Sequence, residues 1–155
     1  MSWLGDERIA IGAVPVGDAV SRLPEAGVTH VVNCRADLQT RISQDLWAER
    51  AVLGPDHVAH APMWDHGRDQ PPRLWAPAAR FGAAALDDPD ARVLVHCQQG
   101  RRRSAMVAYA ILRLRGHDPD EARRLVLDHR APAVLVPAYV DSVERWLAAP
   151  SDPLT

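Results

Sequence analysis

The chain has 155 residues and a formal net charge of −2, with 47% apolar and 25% charged residues. This length favours one domain with a core of its own, and the nearly balanced charge argues against a protein that binds nucleic acid through a broad basic surface. All 18 cationic side chains are arginines, which excludes a lysine nucleophile or a lysine Schiff base.

The first half of the chain alternates short apolar runs with helical segments. Its predicted elements are, in order, an apolar run over 8–14 that ends at Pro15, a short helix over 18–27, a buried strand over 28–34, a helix over 43–54 and a strand over 57–63. Ser43 is the candidate cap of the helix over 43–54, and Gly54-Pro55 is its stop signal.

The second half continues the alternation and becomes mainly helical. Its predicted elements are a helix over 71–86, a strand over 91–97, a helix from Arg103 to about Gly116, and helices over 118–130 and 136–149. This order predicts an α/β fold, in which a central, mostly parallel sheet of four to five strands is flanked by helices. We expect the whole chain, 1–155, to form a single catalytic domain, with its site beyond the carboxyl ends of the strands, where Cys97 lies.

Cysteine content and hydropathy suggest a compartment. Two cysteines, Cys34 and Cys97, are too few for a disulfide framework, so we expect a reducing environment. The N-terminal residues MSWLGDERIA lack the basic and apolar regions of a secretory signal, and no stretch approaches the roughly 18 apolar residues of a membrane span. A cytoplasmic protein without a membrane span is expected.

The segment after the strand over 91–97 has the features of an anion site. In a tight turn over 98–103 the backbone N–H groups would converge at the positive end of the next helix, and Gly100 would permit the tightest part of the turn. An arginine at the helix start can bind two oxygens of a phosphate. Such surroundings lower a cysteine pKa to roughly 3.5–7.5, so Cys97 would be a thiolate aimed at the bound anion.

These residues also carry a family resemblance. The run His96-Cys97-Gln98-Gln99-Gly100-Arg101-Arg102-Arg103-Ser104 reads as His-Cys-x2-Gly-x2-Arg-Ser. It resembles the signature of the cysteine-dependent protein tyrosine phosphatases, in particular their compact dual-specificity branch. Residues 27–37 are similar to the second-strand region of that family, and residues 133–147 to its last helix. The usual Asn after the proline of that helix is absent, since Ala138 and Tyr139 follow Pro137.

The resemblance implies a role for each matched residue. Cys97 would attack phosphorus and form a phosphocysteine, Arg103 would hold the phosphoryl group, and Ser104 would donate a hydrogen bond to the sulfur as it leaves. His96 would help hold the loop and tune the thiolate. The loop residues that would bind the phosphate of the substrate are Gln98, Gln99, Gly100, Arg101, Arg102 and Arg103. No metal and no cofactor is implied.

A general acid is also needed, because the leaving alkoxide or phenolate must be protonated. The segment PMWDHGRDQPP (62–72) offers Asp65 and Asp69 in a loop that we expect to be mobile. The resemblance favours Asp65, which lies 32 positions before Cys97, a spacing typical of compact members. The Trp-Asp-His run is also similar to the acidic loop of the tensin-homologue phosphoinositide phosphatase. Asp69 remains the alternative.

Three weaker signals leave alternatives open. A metal site built from His57, His60, Asp65 and His66 is disfavoured, because His57 and His60 lie three apart on a predicted strand and face opposite sides. Cys34 and Cys97 each end a predicted strand, and both ends should lie at the same edge of a parallel sheet, so a protective disulfide is one hypothesis and a simple buried thiol at Cys34 is the favoured one. Arg101 and Arg102 either favour a polyanionic substrate or form a solvated rim, and we favour the rim.

The resulting hypothesis is a phosphatase that hydrolyses phosphate monoesters, namely phosphotyrosine, phosphoserine or phosphothreonine, or both classes, through a phosphocysteine intermediate. Its expected partner is a phosphorylated protein or a small phosphate ester, not a nucleic acid, and a monomer is expected. One alternative is a phosphatase of phosphoinositides or other non-protein phosphates. A second is a rhodanese-like sulfurtransferase, whose shorter loop would fit the spacing Cys97-x4-Arg102, and a third is a pseudophosphatase that binds phosphate without turnover.

Overall fold

A five-stranded sheet forms the centre of the computed structural model, which describes residues 1–149. The strands are β1 (Ser2–Trp3), β2 (Ile9–Gly12), β3 (His30–Asn33), β4 (Val58–His60) and β5 (Val93–His96). Their order in the sheet is β1-β2-β5-β3-β4, and only the pairing of β1 with β2 is antiparallel. The predicted α/β class with a mostly parallel sheet of four to five strands is confirmed.

The strands read as continuous apolar runs because helices cover both faces of the sheet. In β5, Val93 and Val95 pack in the larger core, whereas Leu94 packs in a smaller core on the opposite face. The helices are α1 (Asp18–Ser21), α2 (Asp37–Ser43), α3 (Asp45–Leu53), α4 (Pro72–Ala85), α5 (Arg103–Leu114), α6 (Pro119–His129) and α7 (Pro137–Ala148). None of these helices has the length and apolar content needed to cross a bilayer.

Helix α5 is the central element of the larger core. Its residues from Arg103 to Leu112 are all buried, because α5 lies against the sheet and also packs on α4, α6 and α7. The helix therefore lacks a solvent-facing stripe over most of its length, and its first turn is fixed immediately after the loop that follows β5.

The structure corrects several predicted boundaries. The helix predicted over 43–54 corresponds to α3, which begins at Asp45, and the preceding helix α2 was not predicted; Gln44, in a left-handed conformation (φ 61°), separates the two. Ser43 is consequently the last residue of α2 and not a cap. The helix predicted over 18–27 ends at Ser21, shortly before Pro24.

The strand predicted over 57–63 contains only Val58–His60. It pairs with β3 alone, and the ladder stops at the Asn33–His60 pair, where β3 ends. His57 belongs instead to a 3₁₀ turn over Pro55–His57. Strand β1 has only two residues, too few for a pattern in the sequence to show.

Candidate active site

The carboxyl ends of β3 and β5 lie side by side and bring Cys34 and Cys97 to the same end of the sheet. The two strands run parallel, with Asn33 opposite His96, and the Cys34 N–H donates to the His96 carbonyl at 2.8 Å. From Cys97 the chain makes a short turn and enters α5 at Arg103. We call residues 97–103 the thiol loop.

The carbonyl groups of the thiol loop point away from its centre. Four successive carbonyls accept hydrogen bonds from groups behind the loop: Gln98 from Val14 N (3.3 Å), Gln99 from Arg130 Nη2 (3.4 Å), Gly100 from Arg130 Nε (3.1 Å) and Arg101 from Val134 N (2.8 Å). In a trans peptide the carbonyl and the following N–H point in opposite directions. The N–H groups of residues 99–102 therefore turn towards the inside of the loop, as an anion-binding nest requires.

Gly100 is the one position of the thiol loop where no side chain fits. Its φ is +65°, and a Cβ atom there would overlap the backbone of Gly12 in β2. The tight turn predicted at Gly100 is thus explained by both its backbone conformation and its contact with the neighbouring strand.

Cys97 lies at the base of a cleft of about 340 Å³ that is lined mainly by thiol-loop residues. Its Sγ lies 3.2 Å from the Ser104 Oγ. Burial raises the pKa of the Cys97 thiol, but hydrogen bonds from the Ser104 hydroxyl and from the Ser104 and Arg101 N–H groups, together with the Arg103 charge, lower it to about 7. A substantial fraction of Cys97 is therefore thiolate at neutral pH.

Arg103 is buried beside the thiol and is held by one of its three nitrogens. Its Nη1 donates to the Met63 carbonyl (2.7 Å), to Gln39 Oε1 (2.9 Å) and, at 3.4 Å, to the Cys34 carbonyl. Its Nε is buried and has no hydrogen-bond partner among residues 1–149. A buried donor without an acceptor is costly, so the guanidinium is fixed in position with a donor left for an anion in the cleft.

Behind the thiol loop lies a buried polar network that the sequence analysis missed. His96 Nε2 lies 2.5 Å from Glu49 Oε2, and its Nδ1 lies 3.2 Å from the Cys97 carbonyl. Burial lowers the pKa of His96, but the adjacent Glu49 carboxylate raises it above its usual value. His96 therefore joins the thiol loop to α3 and has no position on the wall of the cleft.

The network continues along the end of β3. Asn33 Nδ2 donates to Asp45 (2.8 Å) and to Glu49 (2.9 Å). Arg35 forms a 2.9 Å ion pair with Asp45 and donates from Nε to Gln98 Oε1 at 3.0 Å. The Gln98 side chain thus takes part in this support.

The cluster of Asp45, Glu49 and His96 has the ligand types of a metal site. Its carboxylate oxygens already accept hydrogen bonds from Asn33 and Ser43, and Arg35 adds a positive charge beside Asp45. A second cation there would be repelled, so the donor set suits the ion pairs that it makes.

The two candidate acids have different surroundings. Asp65 lines the cleft together with Cys97 and Arg103. Its Oδ1 accepts a hydrogen bond from the Tyr139 hydroxyl at 2.6 Å and lies 3.3 Å from Arg102 Nε. Asp69 instead forms a 3.1 Å ion pair with Arg145 and lines a separate groove.

The remaining candidates lie at the mouth of the cleft or away from it. Arg101 is exposed, with a 3.4 Å hydrogen bond from its Nε to the Pro132 carbonyl, and Arg102 is half-buried beside Asp65. His57 stacks on His30, with ring centroids 4.2 Å apart, and His60 lies 2.7 Å from the Arg35 carbonyl. These two histidines contact separate groups and do not converge with Asp65.

Both cysteines are free and buried. Burial raises the pKa of Cys34 well above its usual value, and the neighbouring Cys97 raises it further. Of the two thiols, Cys97 therefore has the larger thiolate fraction at neutral pH. A disulfide between them remains the hypothesis stated above.

Comparisons with known proteins agree with this geometry. No protein-family model matches the chain. The human dual specificity protein phosphatase 13B is 34% identical to it over 97 residues, which are 59% of this chain and 45% of that protein, so the chain spans less than half the length of this relative.

Solved structures cover nearly the whole chain. The human tyrosine phosphatase-like serine/threonine/tyrosine-interacting protein superposes with a TM-score of 0.77 at 17% identity, over 96% of this chain and 95% of that one. The active form of Tk-PTP superposes with a TM-score of 0.66 at 25% identity, over 89% and 90% of the two chains. The chain thus has the fold of the cysteine-dependent protein tyrosine phosphatases, and the resemblance to their dual-specificity branch that the Cys97 signature indicates is confirmed.

Proposed function

We propose that the protein is a phosphatase that hydrolyses phosphate monoesters of tyrosine, and of serine or threonine, through a phosphocysteine on Cys97. One observation carries the proposal: a thiol with a pKa of about 7, inward-facing N–H groups and the Nε of Arg103, which finds no partner within residues 1–149, meet at one cleft. A thiolate and a set of fixed donors suit a nucleophilic attack on a bound dianion.

In the first step the Cys97 thiolate attacks phosphorus and the bond from phosphorus to the ester oxygen breaks. The leaving oxygen takes a proton from Asp65, and the phosphoryl group stays bound to the loop N–H groups and Arg103. In the second step Asp65 removes a proton from water, the water oxygen attacks phosphorus, and the S–P bond breaks. The Cys97 sulfur leaves as a thiolate, and the Ser104 hydroxyl at 3.2 Å supplies a hydrogen bond to it.

Cys97→Ser tests the proposal directly. A serine hydroxyl stays protonated at neutral pH, so hydrolysis of p-nitrophenyl phosphate should fall to the level of buffer alone. Rapid acid quenching of the wild type with substrate should trap a phosphate, which mass mapping should locate on Cys97. The matched control is Cys34→Ser, which removes the other thiol and leaves the trapped phosphate in place. Activity that persists in Cys97→Ser would refute the mechanism.

Assays on the same purified wild-type and variant proteins also distinguish the alternative activities. Turnover of thiosulfate without turnover of p-nitrophenyl phosphate would indicate a sulfurtransferase, and tight binding of phosphate without turnover would indicate a pseudophosphatase. A panel of phosphopeptides, phosphoinositides and nucleotides compares the substrate classes, and our proposal requires the phosphopeptides to give the highest kcat/KM.

The proposal also includes a cellular compartment, the cytoplasm, and an assembly state, the monomer. A cysteine nucleophile has to stay reduced, and both cysteines are free thiols, which supports action in the cytoplasm. We propose a monomer, because a single chain supplies the thiol, the guanidinium and the carboxylate that the proposed steps require. Light scattering in solution should give a mass near 17.0 kDa.

A further inference from the structure

The carboxylate of Asp65 is held unevenly at its two oxygens. Oδ1 accepts the Tyr139 hydroxyl at 2.6 Å, and Arg102 Nε lies 3.3 Å from the same atom. Among residues 1–149, no hydrogen bond is made to Oδ2. The carboxylate therefore has one occupied oxygen and one oxygen available to a substrate in the cleft that it lines.

The direction of the hydrogen bond between Tyr139 and Asp65 follows from a third group. The Gly67 N–H donates to the Tyr139 hydroxyl oxygen at 2.9 Å, so this oxygen is an acceptor for the backbone and its own proton is free for Asp65. Burial and the hydrogen bond to Asp65 raise the pKa of Tyr139, so the phenol keeps this proton. Tyr139 is thus a fixed donor to Oδ1.

Tyr139 belongs to α7, at the position after Ala138, and α7 also holds the other end of the same loop. The Ser142 hydroxyl accepts a hydrogen bond from the Gln70 N–H at 3.1 Å. Two hydroxyl groups of one helix therefore anchor the loop over 64–70, but only the Tyr139 hydroxyl contacts the carboxylate of Asp65.

We propose that Tyr139 is a positioning residue for the general acid: its hydroxyl reserves Oδ1 as an acceptor, so that the proton for the leaving group resides on Oδ2 of Asp65. This inference rests on the proposed phosphatase activity. When Oδ2 gives its proton to the leaving oxygen, a carboxylate forms, and the Tyr139 hydroxyl donates to that carboxylate at the moment when its charge develops. In the second step the same hydrogen bond directs Oδ2 towards the attacking water, from which it takes the proton back.

The test compares leaving groups in Tyr139→Phe. Proton donation matters for a poor leaving group such as phenyl phosphate and little for an activated one such as p-nitrophenyl phosphate. General acid catalysis contributes about 100- to 10,000-fold, so Asp65→Asn should lower kcat on phenyl phosphate by that order. A hydrogen bond to a charged group is worth about tenfold or more, so Tyr139→Phe should lower the same kcat about tenfold. KM, and turnover of p-nitrophenyl phosphate, should change little.

The double variant and two controls separate positioning from a structural effect. In Asp65→Asn, the further change Tyr139→Phe should cost nothing, since there is no proton left to direct. Ser142→Ala removes the other anchor of the loop and should not reproduce the dependence on the leaving group. Tyr109→Phe removes a phenol of α5 that donates to Glu144 of α7, outside the residues that line the cleft, and should leave both rates unchanged.

Different results of these assays would overturn different parts of the proposal. Equal loss on both substrates in Tyr139→Phe, or an additive loss in the double variant, would overturn the positioning role while leaving the proposed function intact. If Cys97→Ser hydrolyses the phosphate esters as fast as the wild type does, the proposed function itself is overturned. Asp69→Asn serves as the matched carboxylate control, and a dependence on the leaving group that appears there and not in Asp65→Asn would overturn the assignment of the acid.

Discussion

Cys97 is partly ionised at neutral pH in a place where burial opposes its charge. Only 3% of the residue is exposed, and desolvation alone would raise the pKa of the thiol above its usual value. The pKa is instead about 7, because the Ser104 hydroxyl, two backbone N–H groups and the Arg103 guanidinium all favour the thiolate. In the proposed mechanism, the donors that lower the pKa of Cys97 would also make its sulfur a better leaving group in the second step.

This balance predicts the effect of Ser104→Ala. Removal of the hydroxyl takes away the largest contribution that lowers the pKa of Cys97, so the pKa rises and a smaller fraction is thiolate at pH 6 to 7. The pH profile of alkylation by iodoacetamide, which reads the thiolate without any substrate, should move to higher pH. Ser21→Ala, which removes an exposed hydroxyl on α1, is the control. An unchanged profile in Ser104→Ala would contradict this account.

At the scale of elements, α3 supports the thiol loop through polar contacts at the carboxyl ends of β3 and β5. It places two carboxylates, Asp45 and Glu49, one turn apart on its buried face, where they meet Asn33, Arg35 and His96. Charges in such a place are stable only in pairs, because an unpaired buried ion loses its hydration without compensation. The helix is therefore tied to the ends of β3 and β5 by polar contacts in addition to apolar packing.

Glu49→Gln should consequently destabilise the fold more than the loss of a surface ion pair does. The change leaves His96 buried without its counter-charge, which costs about 3 kcal/mol or more in free energy of unfolding. Asp87→Asn, which breaks the exposed pair with Arg115, is the matched control and should cost between 0 and about 1 kcal/mol. Urea unfolding at pH 7 measures both values, and equal losses would show that the buried network contributes no more than a surface pair.

The elements also show which features a sequence can reveal. The thiol loop could be predicted because its signature lies within nine consecutive residues, from His96 to Ser104, and the long helices because their apolar faces repeat regularly. The break between α2 and α3 could not be predicted, because Gln44 adopts a left-handed conformation that is normally adopted by glycine or asparagine. The contacts of Tyr139 with Asp65 and of Arg130 with Gly100 join residues far apart in sequence, and only the folded chain brings them together.

At the scale of the whole molecule, side-chain hydrogen bonds connect the N-terminal residues to Arg130 and to the region of α6. Arg130, which holds two carbonyls of the thiol loop, also donates to the Ser2 hydroxyl at 3.1 Å. In the connection between β1 and β2, Glu7 accepts from His117 at 2.9 Å, and the other ring nitrogen of His117 lies 3.1 Å from Glu121 of α6. The first strands are thereby linked to α6 and, through Arg130, to the thiol loop.

The contacts of His117 make this link dependent on pH. Burial lowers the pKa of His117, but its hydrogen bonds to Glu7 and Glu121 raise the pKa above its usual value of about 6.5. A group whose pKa is raised by folding stabilises the fold fully below its unfolded pKa, and that stabilisation is lost as the pH rises through the folded pKa. Because the three side chains are partly exposed, the effect should not exceed about 1 kcal/mol.

We therefore expect His117→Gln to lower the free energy of unfolding more at pH 5.5 than at pH 9, as measured by urea denaturation at both values. Other groups that titrate in this range, such as the His96–Glu49 pair and Cys97, are present in both proteins, so they cancel in the difference between wild type and variant. His129→Gln is the matched control, because His129 lies in the same surface pocket and, among residues 1–149, its ring makes a hydrogen bond to the Leu125 carbonyl and none to a carboxylate. A difference for His117→Gln that stays constant or grows with pH would mean that His117 is neutral in this link and holds the two segments together by hydrogen bonds alone.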